Sequence, residues 1–267
     1  MIKIRDKGTL VTELQTRLAD AGYLDRRGVD GRFGPQTDSA LRQFQKRSGL
    51  VADGIYGPKT ADALLGKSTS KILGHNDIEE AANALDVDTA AILAVNEVES
   101  RGQGFLEDGR PVILFERHWM VRRLRYNKAW RQEWSEKYPN VVNTRSGGYT
   151  GGPGEWERLG LAWSVHPASA LESASWGLFQ IMGFHWKLLG YEGVQAFVDE
   201  IRESEGAQLK AFVRFIKADP ALLDALQGHL WGSFANIYNG PAYAKNSYDV
   251  RLQAAYDRHS AATESAV

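Results

Sequence analysis

The sequence of 267 residues contains no cysteine, carries almost no net charge and has no long apolar run. Without cysteine the chain cannot form disulfides or thiolate metal sites, so its folding does not depend on the redox state of its compartment. The net charge of −1 gives no electrostatic reason to expect binding to nucleic acid or to an anionic membrane. The first eight residues lack the apolar core of a signal peptide, and no segment has the length and apolarity of a transmembrane span. We therefore expect synthesis in the cytoplasm without a signal peptide, and no membrane insertion.

The motifs of several catalytic classes are also missing. The six histidines include no His-Glu-x-x-His pattern and no close pair, so we expect no metal site. There is no Gly-x-Ser-x-Gly elbow. The glycine-rich run at residues 147–154 lacks the Lys-Ser or Lys-Thr ending of a phosphate loop, and we expect a flexible loop there. The pattern predicts no cofactor and leaves paired carboxylates as the candidate chemistry.

The first 65 residues contain an internal repeat. Residues 30–41 recur as residues 53–64, and both copies share the pattern Asp-Gly-x-aromatic-Gly-Pro-x-Thr. Asp-Gly favours a tight turn, and the proline marks the start of a helix. An amphipathic segment that contains a glutamine, Gln15 or Gln45, precedes each copy. The repeat predicts a compact module of three helices joined by two similar turns.

The repeat resembles a known family. Its two turns, each preceded by a hydrophobic residue and a glutamine, are similar to the helical peptidoglycan-binding domain of cell-wall hydrolases. The similarity covers roughly residues 6–65 and implies binding to the bacterial cell wall. The small polar segment that follows is typical of a linker. We predict a binding domain at residues 1–66, a linker at 67–73 and a second domain at 74–267. The wall-binding residues implied are Asp30, Phe33, Asp53 and Tyr56.

Glu99 is the carboxylate with the most informative surroundings. It ends a predicted helix that has Asp88 as its N-cap and Gly102 just beyond its end. Ile92 and Val95 precede Glu99 by seven and four residues, so the three share one face. A carboxyl at the end of an apolar stripe loses hydration, which raises its pKa toward the range of a general acid. A surface glutamate or a buried ion pair is the alternative interpretation.

A second carboxylate, Glu116, ends a predicted β-hairpin at residues 104–116, whose turn is Asp108-Gly109. A glycosidase uses one carboxyl as an acid and often a second, ionised one as nucleophile, base or electrostatic support. Glu116, which precedes Arg117 and His118, suits this second role. A salt bridge to a neighbouring arginine is the alternative.

Three segments together resemble the lysozyme-like superfamily, which includes goose-type lysozymes and lytic transglycosylases. They are Glu-Ser at residues 99–100, Gly-Leu-x-Gln-Ile at 177–181 and Tyr-Asn-Gly at 238–240. The run at 109–118 narrows the similarity to the N-acetylmuramidase domain of modular phage endolysins. This resemblance covers roughly residues 74–258. It implies a mainly α fold, in which a three-helix binding module precedes a lysozyme-like domain with a small β-hairpin.

The same resemblance implies site residues. Glu99 would be the catalytic acid and Glu116 the second catalytic carboxylate, with Glu172 as the alternative to Glu116. For Gln180, packing within a helix at residues 176–182 is the alternative to a place in the groove. The implied substrate-binding residues are Ser175, Gln180, Tyr238, Asn239 and His118.

The implied function is that of an endolysin acting on bacterial peptidoglycan. It would hydrolyse the β-1,4 bond between N-acetylmuramic acid and N-acetylglucosamine for host cell lysis. It would act as a monomer or weak dimer, after release through a membrane pore. The close alternative is a lytic transglycosylase with 1,6-anhydro-muramic products, because the superfamily hosts both reactions. A non-catalytic wall-binding phage protein is the alternative from another class, and the intact Glu99 motif argues against it.

Overall fold

The computed structural model describes residues 1–100, 102–124, 128–241 and 243–264. Within these ranges the chain is mainly helical, with a single small antiparallel sheet, which confirms the predicted fold class. None of the helices in this part of the chain is long and apolar enough to cross a membrane. The strands are β1 (Ile113–Phe115), β2 (Ala174–Trp176) and β3 (Ile181–Met182). The α-helices are α1 (Thr9–Asp20), α2 (Pro35–Arg47), α3 (Pro58–Leu64), α4 (His75–Leu85), α5 (Thr89–Glu99), α6 (Arg117–Arg123), α7 (Lys128–Lys137), α8 (Pro153–Val165), α9 (Pro167–Glu172), α10 (Val194–Ile201), α11 (Glu205–Lys217), α12 (Pro220–Gln227), α13 (Trp231–Asn239) and α14 (Tyr248–Glu264).

The chain divides into two compact units. The first comprises Met1–Ala94 together with Ala254–Val267, and the second comprises Val95–Gln253. The first unit includes the segment predicted as a linker, where Thr69 Oγ1 donates a hydrogen bond of 2.8 Å to Ser48 O. The domain boundaries at residues 66 and 74 stay predictions.

The repeat in the first unit forms the three predicted helices, α1 to α3. In the first copy, the buried Gln15 side chain donates to Asp30 Oδ1 at 2.9 Å and to Thr37 Oγ1 at 2.9 Å. Its Oε1 accepts from the backbone N–H groups of Asp30 and Gly31 at 3.1 and 2.8 Å. The glutamine therefore ties its own helix to the following turn and to the next helix, and its buried amide is satisfied by these bonds.

The second copy repeats this network. Gln45 donates to Asp53 Oδ1 at 2.8 Å and to Thr60 Oγ1 at 3.3 Å, and its Oε1 accepts from Gly54 N at 3.0 Å. The second copy packs against the apolar core of the module through the partly buried Tyr56, Ala63 and Leu64. The buried members of this core are Val11, Leu14, Leu18, Phe33, Ala40, Leu41 and Phe44.

The sheet of the second unit has the order β1-β2-β3, with every pair antiparallel. Leu114 lies opposite Ser175, and Ser175 lies opposite Met182. The predicted hairpin around Asp108-Gly109 is present, because Leu106 N donates to Arg110 O at 2.8 Å. Its second half continues into β1.

The helical interpretation of residues 176–182 was wrong. This segment comprises the end of β2, a turn at residues 177–180 and β3, and the backbone of the turn adopts positive φ at Gly177 (+71°) and at Gln180 (+51°). A right-handed helix cannot accommodate positive φ, and for the non-glycine Gln180 the left-handed conformation is strained. The surrounding contacts therefore hold this turn in place.

Two side chains of α11 form hydrogen bonds to the β2–β3 turn and to Gly104 at the start of the hairpin. Gln208 Oε1 accepts from Leu178 N at 2.7 Å, and Gln208 Nε2 donates to Gly104 O at 3.3 Å. Glu205 Oε1 accepts from Gly104 N at 2.8 Å. Gly104 and Gly177 leave no room for a Cβ, because a Cβ at either position would lie within 3.0 Å of the Gln208 side chain. One buried helix face thereby fixes the hairpin and the β2–β3 turn relative to each other.

A buried ion pair connects β1 to the glycine-rich loop. Glu155 and Arg158 have side chains that are 0% and 2% exposed, and Arg158 Nη1 lies 2.7 Å from Glu155 Oε2. Glu155 also accepts from Phe115 N at 2.9 Å and from Thr150 N at 2.7 Å. Arg158 donates to Phe115 O at 2.8 Å. Both charges are thus paired and hydrogen-bonded, which burial of a charge requires.

Candidate functional site

Helix α5 carries Glu99 at its last position. Its first turn is capped as predicted, because Asp88 Oδ1 accepts from Ala91 N at 2.7 Å. Ile92 and Val95, on the same face as Glu99, are buried. The helix therefore presents a carboxyl at the end of an apolar stripe.

Glu99 lies in the wall of a cavity of about 280 Å³ in the second unit. Gln180 and Met182 come from the β2–β3 hairpin, Tyr238 and Asn239 from the end of α13, and Tyr248 from the start of α14. Glu99 is the one carboxylate among the lining residues that the structure describes. The lining residues are Glu99, Phe179, Gln180, Ile181, Met182, His185, Phe215, Tyr238, Asn239 and Tyr248.

The environment of Glu99 favours its protonated form. Burial raises the pKa of the carboxyl above its ordinary value. Two weaker effects oppose this, because Asn239 Nδ2 donates to Glu99 Oε1 at 2.9 Å and the positive charge of Arg251 favours the carboxylate. The balance leaves a carboxyl that holds its proton to higher pH than a solvated glutamate does.

Tyr238 contributes a fixed, neutral wall. Its hydroxyl donates to Phe179 O at 3.3 Å, and its ring packs against Phe212, Phe215 and Phe234. Burial, followed by the nearby charge of Glu99, raises the pKa of the Tyr238 hydroxyl far above its ordinary range. The hydroxyl therefore stays protonated.

The predicted groove residues Gln180 and Ser175 have different positions. Gln180 lines the cavity, but its Nε2 donates to Gly177 O at 2.8 Å and to Val112 O at 3.3 Å. Ser175 is buried, and its Oγ donates to Gln180 Oε1 at 2.9 Å. Ser175 is not among the described lining residues, so in this structure it supports Gln180 from behind. The Gln180 amide thus connects the β2–β3 turn at Gly177 to Val112 in the hairpin at residues 104–116.

Glu116 lies in a separate polar cluster. The Tyr149 hydroxyl is 2.9 Å from each carboxylate oxygen of Glu116, and His118 Nδ1 is 3.1 Å from Glu116 Oε2. Neither Glu116 nor His118 is among the described residues that line the Glu99 cavity. The structure therefore does not bring the two predicted catalytic carboxylates together in one cavity wall. A second catalytic carboxylate at Glu116 stays a prediction.

Glu172, the alternative second carboxylate, is engaged elsewhere. Its Oε1 accepts from Trp186 Nε1 at 2.8 Å, and its Oε2 lies 3.6 Å from Arg123 Nε. It too is absent from the described lining of the cavity. Across the described ranges, no three histidine, aspartate or glutamate side chains are grouped closely enough to hold a metal ion.

Several residues of the cavity lie outside the motifs found in the sequence. His185 lies just after the Gln-Ile motif, and burial, followed by the charge of Arg123, lowers its pKa. Phe215 and Tyr248 are distant in sequence from every motif, and no local pattern marks them. Arg251 follows Tyr248 by three residues and lies over its ring at 5.4 Å. Only the packing of α11 and α14 brings Phe215, Tyr248 and Arg251 to Glu99.

The four residues implied in wall binding all lie in the two repeat copies of the first unit. Phe33 is 2% exposed and belongs to the core, so its ring is not available to a ligand in this conformation. Asp30 and Asp53 close the two turns through Gln15 and Gln45. Tyr56 is half-buried beside the core. The part of these residues in wall binding stays a prediction.

Two families match the chain. The N-acetylmuramidase family matches residues 88–260, and the peptidoglycan binding domain family matches residues 7–64. Among solved structures, the crystal structure of the Burkholderia AP3 phage endolysin is similar to this chain, with a TM-score of 0.91 and 50% sequence identity. That similarity covers 98% of each chain.

Similarity to curated proteins is confined to shorter stretches. The N-acetylmuramoyl-L-alanine amidase CwlL of Bacillus licheniformis is 42% identical over 65 residues, which are 24% of this chain and 18% of that protein. The zinc D-Ala-D-Ala carboxypeptidase of Streptomyces albus G is 46% identical over 54 residues, 20% of this chain and 21% of that protein. The chain thus spans about a fifth of the length of these curated relatives.

Proposed function

Because the chain belongs to the N-acetylmuramidase family, we propose that it is an endolysin that hydrolyses the β-1,4 bond between N-acetylmuramic acid and N-acetylglucosamine in peptidoglycan. The proposal rests on Glu99, which lies in the wall of an open cavity and whose pKa is raised by burial. The protein would reach the wall after release through a membrane pore, and would act there as a monomer or weak dimer.

Glu99 would act as the general acid. Cleavage of a glycosidic bond needs a proton on the leaving oxygen while positive charge develops on the sugar. A carboxyl with a raised pKa holds that proton to higher pH than a solvated glutamate does. Once ionised, the carboxylate is stabilised by the Asn239 amide at 2.9 Å and by the charge of Arg251. A water molecule would then complete the hydrolysis at the sugar carbon.

The first unit would hold the enzyme on its polymer. The amidase and the carboxypeptidase differ in the reaction that their names state, yet each shares with this chain a stretch about as long as the repeat module. A stretch that is shared by enzymes with different reactions is expected to attach the enzyme to its polymer and not to take part in catalysis. A second binding site raises the effective concentration of the catalytic unit on the wall without adding catalytic contacts.

Product analysis tests the reaction. Mass spectrometry of fragments released from purified peptidoglycan should show reducing-end N-acetylmuramic acid. Products with 1,6-anhydro-muramic ends would identify a lytic transglycosylase and overturn the hydrolase proposal. The absence of any new chain end would support the non-catalytic, wall-binding alternative.

Substitution of Glu116 should separate one-carboxylate from two-carboxylate chemistry. Since Glu116 is outside the described cavity lining, we expect Glu116→Gln to lower kcat by less than about tenfold, below the usual effect of losing a catalytic acid or base. The measurement is turnover on soluble peptidoglycan fragments. A loss of about 10²-fold or more would establish Glu116 as the second catalytic carboxylate.

The hydrogen bond from Asn239 should set the alkaline limit of activity. It stabilises the ionised form of Glu99, so Asn239→Ala should raise the pKa of Glu99 further. The acid would then stay protonated to higher pH, and the alkaline limb of the kcat/KM profile should move to higher pH. Asn236→Ala, an exposed change on the same helix, should leave the limb in place. An unchanged or lowered limb in Asn239→Ala would contradict the role of Glu99.

A further inference from the structure

Two arginines of α6 lie over aromatic rings that are linked to the cavity by ring contacts. The guanidinium carbon of Arg122 lies 4.5 Å from the ring centroid of Trp119. The guanidinium carbon of Arg123 lies 4.8 Å from the ring centroid of Phe184 and 5.5 Å from that of Trp119. The two rings contact each other at 4.3 Å. We call these four residues the arginine–aromatic cluster.

The two guanidinium groups differ in their partners. Arg123 is partly buried and lies 3.6 Å from a Glu172 oxygen, so its charge already has a counter-ion. Arg122 is exposed, and among the described residues no carboxylate lies within 4.0 Å of it. The contact with the Trp119 ring restricts the Arg122 side chain, which is nevertheless exposed. A guanidinium held in this way is prepared to accept a planar anion.

The cluster is continuous with the cavity that holds Glu99. The Phe184 ring contacts the His185 ring at 4.4 Å, and His185 lines the cavity. On its other side, His185 contacts Phe215, a second lining residue, at 5.2 Å. A polymer bound with one bond at Glu99 and continuing past His185 and Phe184 would reach the cluster.

We propose that Arg122 binds a carboxylate of the stem peptide that peptidoglycan carries on its muramic acid units. This inference rests on the proposed function, since it takes peptidoglycan as the substrate. When the stem peptide is attached, the carboxylates of the substrate are on the peptide, because the lactyl carboxyl of muramic acid is in amide linkage. An exposed, oriented guanidinium beside the cavity would recognise that peptide and not the uncharged sugar chain.

The test removes the charge of the stem-peptide carboxylate and that of Arg122, separately and together. Soluble peptidoglycan fragments with free stem-peptide carboxylates are compared with the same fragments after chemical amidation of those carboxyls. For the native fragments, Arg122→Gln should lower kcat/KM by about three- to tenfold, as expected for an ion pair at a partly exposed site. For the amidated fragments, Arg122→Gln and wild type should be equal. This comparison forms a double-mutant cycle between the arginine and the carboxylate.

Two variants serve as controls. Arg122→Lys retains the charge but loses the planar stack, and should recover part of the activity on native fragments. Arg202→Gln removes an exposed arginine from α10's C-terminal end, with the same change in net charge, and should act like wild type on both substrates. Added salt should reduce the difference between wild type and Arg122→Gln.

The outcomes separate this inference from the proposed function. An equal loss for Arg122→Gln on native and amidated fragments would show a structural role and overturn the inference. Binding of both fragments to the Glu99→Gln form, with and without Arg122→Gln, is measured by calorimetry and does not need hydrolysis. If wild type fails to hydrolyse the fragments but the carboxylate-dependent binding persists, the proposed function fails and the inference stands. If neither amidation of the fragments nor Arg122→Gln changes the binding affinity, the inference is overturned.

Discussion

Replacing Glu99 with glutamine is expected to lower the rate of wall lysis by about 10²–10⁴-fold, the usual contribution of a general acid. Glutamine has nearly the same shape and can keep a contact with Asn239, but it cannot donate a proton to the glycosidic oxygen. The measurement is the clearing of permeabilised cells, with product release from purified peptidoglycan as a second readout. Retention of more than about a tenth of the wild-type rate would exclude Glu99 as the acid.

The matched control is Glu97→Gln, which changes the same residue type in the same helix two positions away. It should leave the rate nearly unchanged. Stability provides a second control, and its sign follows from the raised pKa of Glu99. The folded state disfavours the ionised carboxylate, so wild type loses stability as the pH rises from the unfolded pKa through the folded pKa. At neutral pH Glu99→Gln should therefore be at least as stable as wild type in thermal unfolding. A marked loss of stability would mean that reduced activity reports a damaged fold.

Replacing Glu155 with glutamine should have the largest effect on stability, about 3–5 kcal/mol in the free energy of unfolding. The substitution leaves the 2% exposed Arg158 without its counter-ion. It also weakens bonds to Phe115 N and to the backbone of the glycine-rich loop at Thr150. Urea unfolding of wild type and of Glu155→Gln measures this difference in the free energy of unfolding. Glu157→Gln, an exposed change on the same helix, should stay within about 0.5 kcal/mol of wild type.

The pH dependence of this pair has the opposite sign to that of Glu99. Burial alone would raise the pKa of Glu155, but hydrogen bonds from Phe115, Thr150 and Gly151 and the charge of Arg158 lower it overall. Its contribution to stability is therefore present above the unfolded pKa and is lost as the pH falls through the folded pKa. The gap between wild type and Glu155→Gln should narrow in acid. A gap that widens in acid would contradict the assignment of an ionised Glu155.

Local sequence patterns were sufficient for the repeat module and for α5. The Asp-Gly turns and the prolines at the first helical positions depend on neighbours a few residues apart, and so does the Asp88 cap. The same patterns were insufficient at residues 176–182, which comprise the end of β2, the following turn and β3. A short apolar run does not distinguish a helix from a strand by periodicity, and Gln180 adopts positive φ only because Gly177, Val112 and Ser175 hold its side chain.

The family resemblance, the class of fold and the apolar face that ends in Glu99 follow from the amino-acid sequence alone. These depend on residue type and on spacing within one helix or turn, where geometry is set by neighbours along the chain. The groups that surround that carboxyl are set by the packing of segments distant in sequence. This packing brings in Asn239 and Tyr248, 140 and 149 positions later in the chain, and leaves Glu116, only 17 positions later, outside the described lining. The pKa of a carboxyl depends on burial and on charges within a few ångströms, and these distances exist only after distant helices have packed.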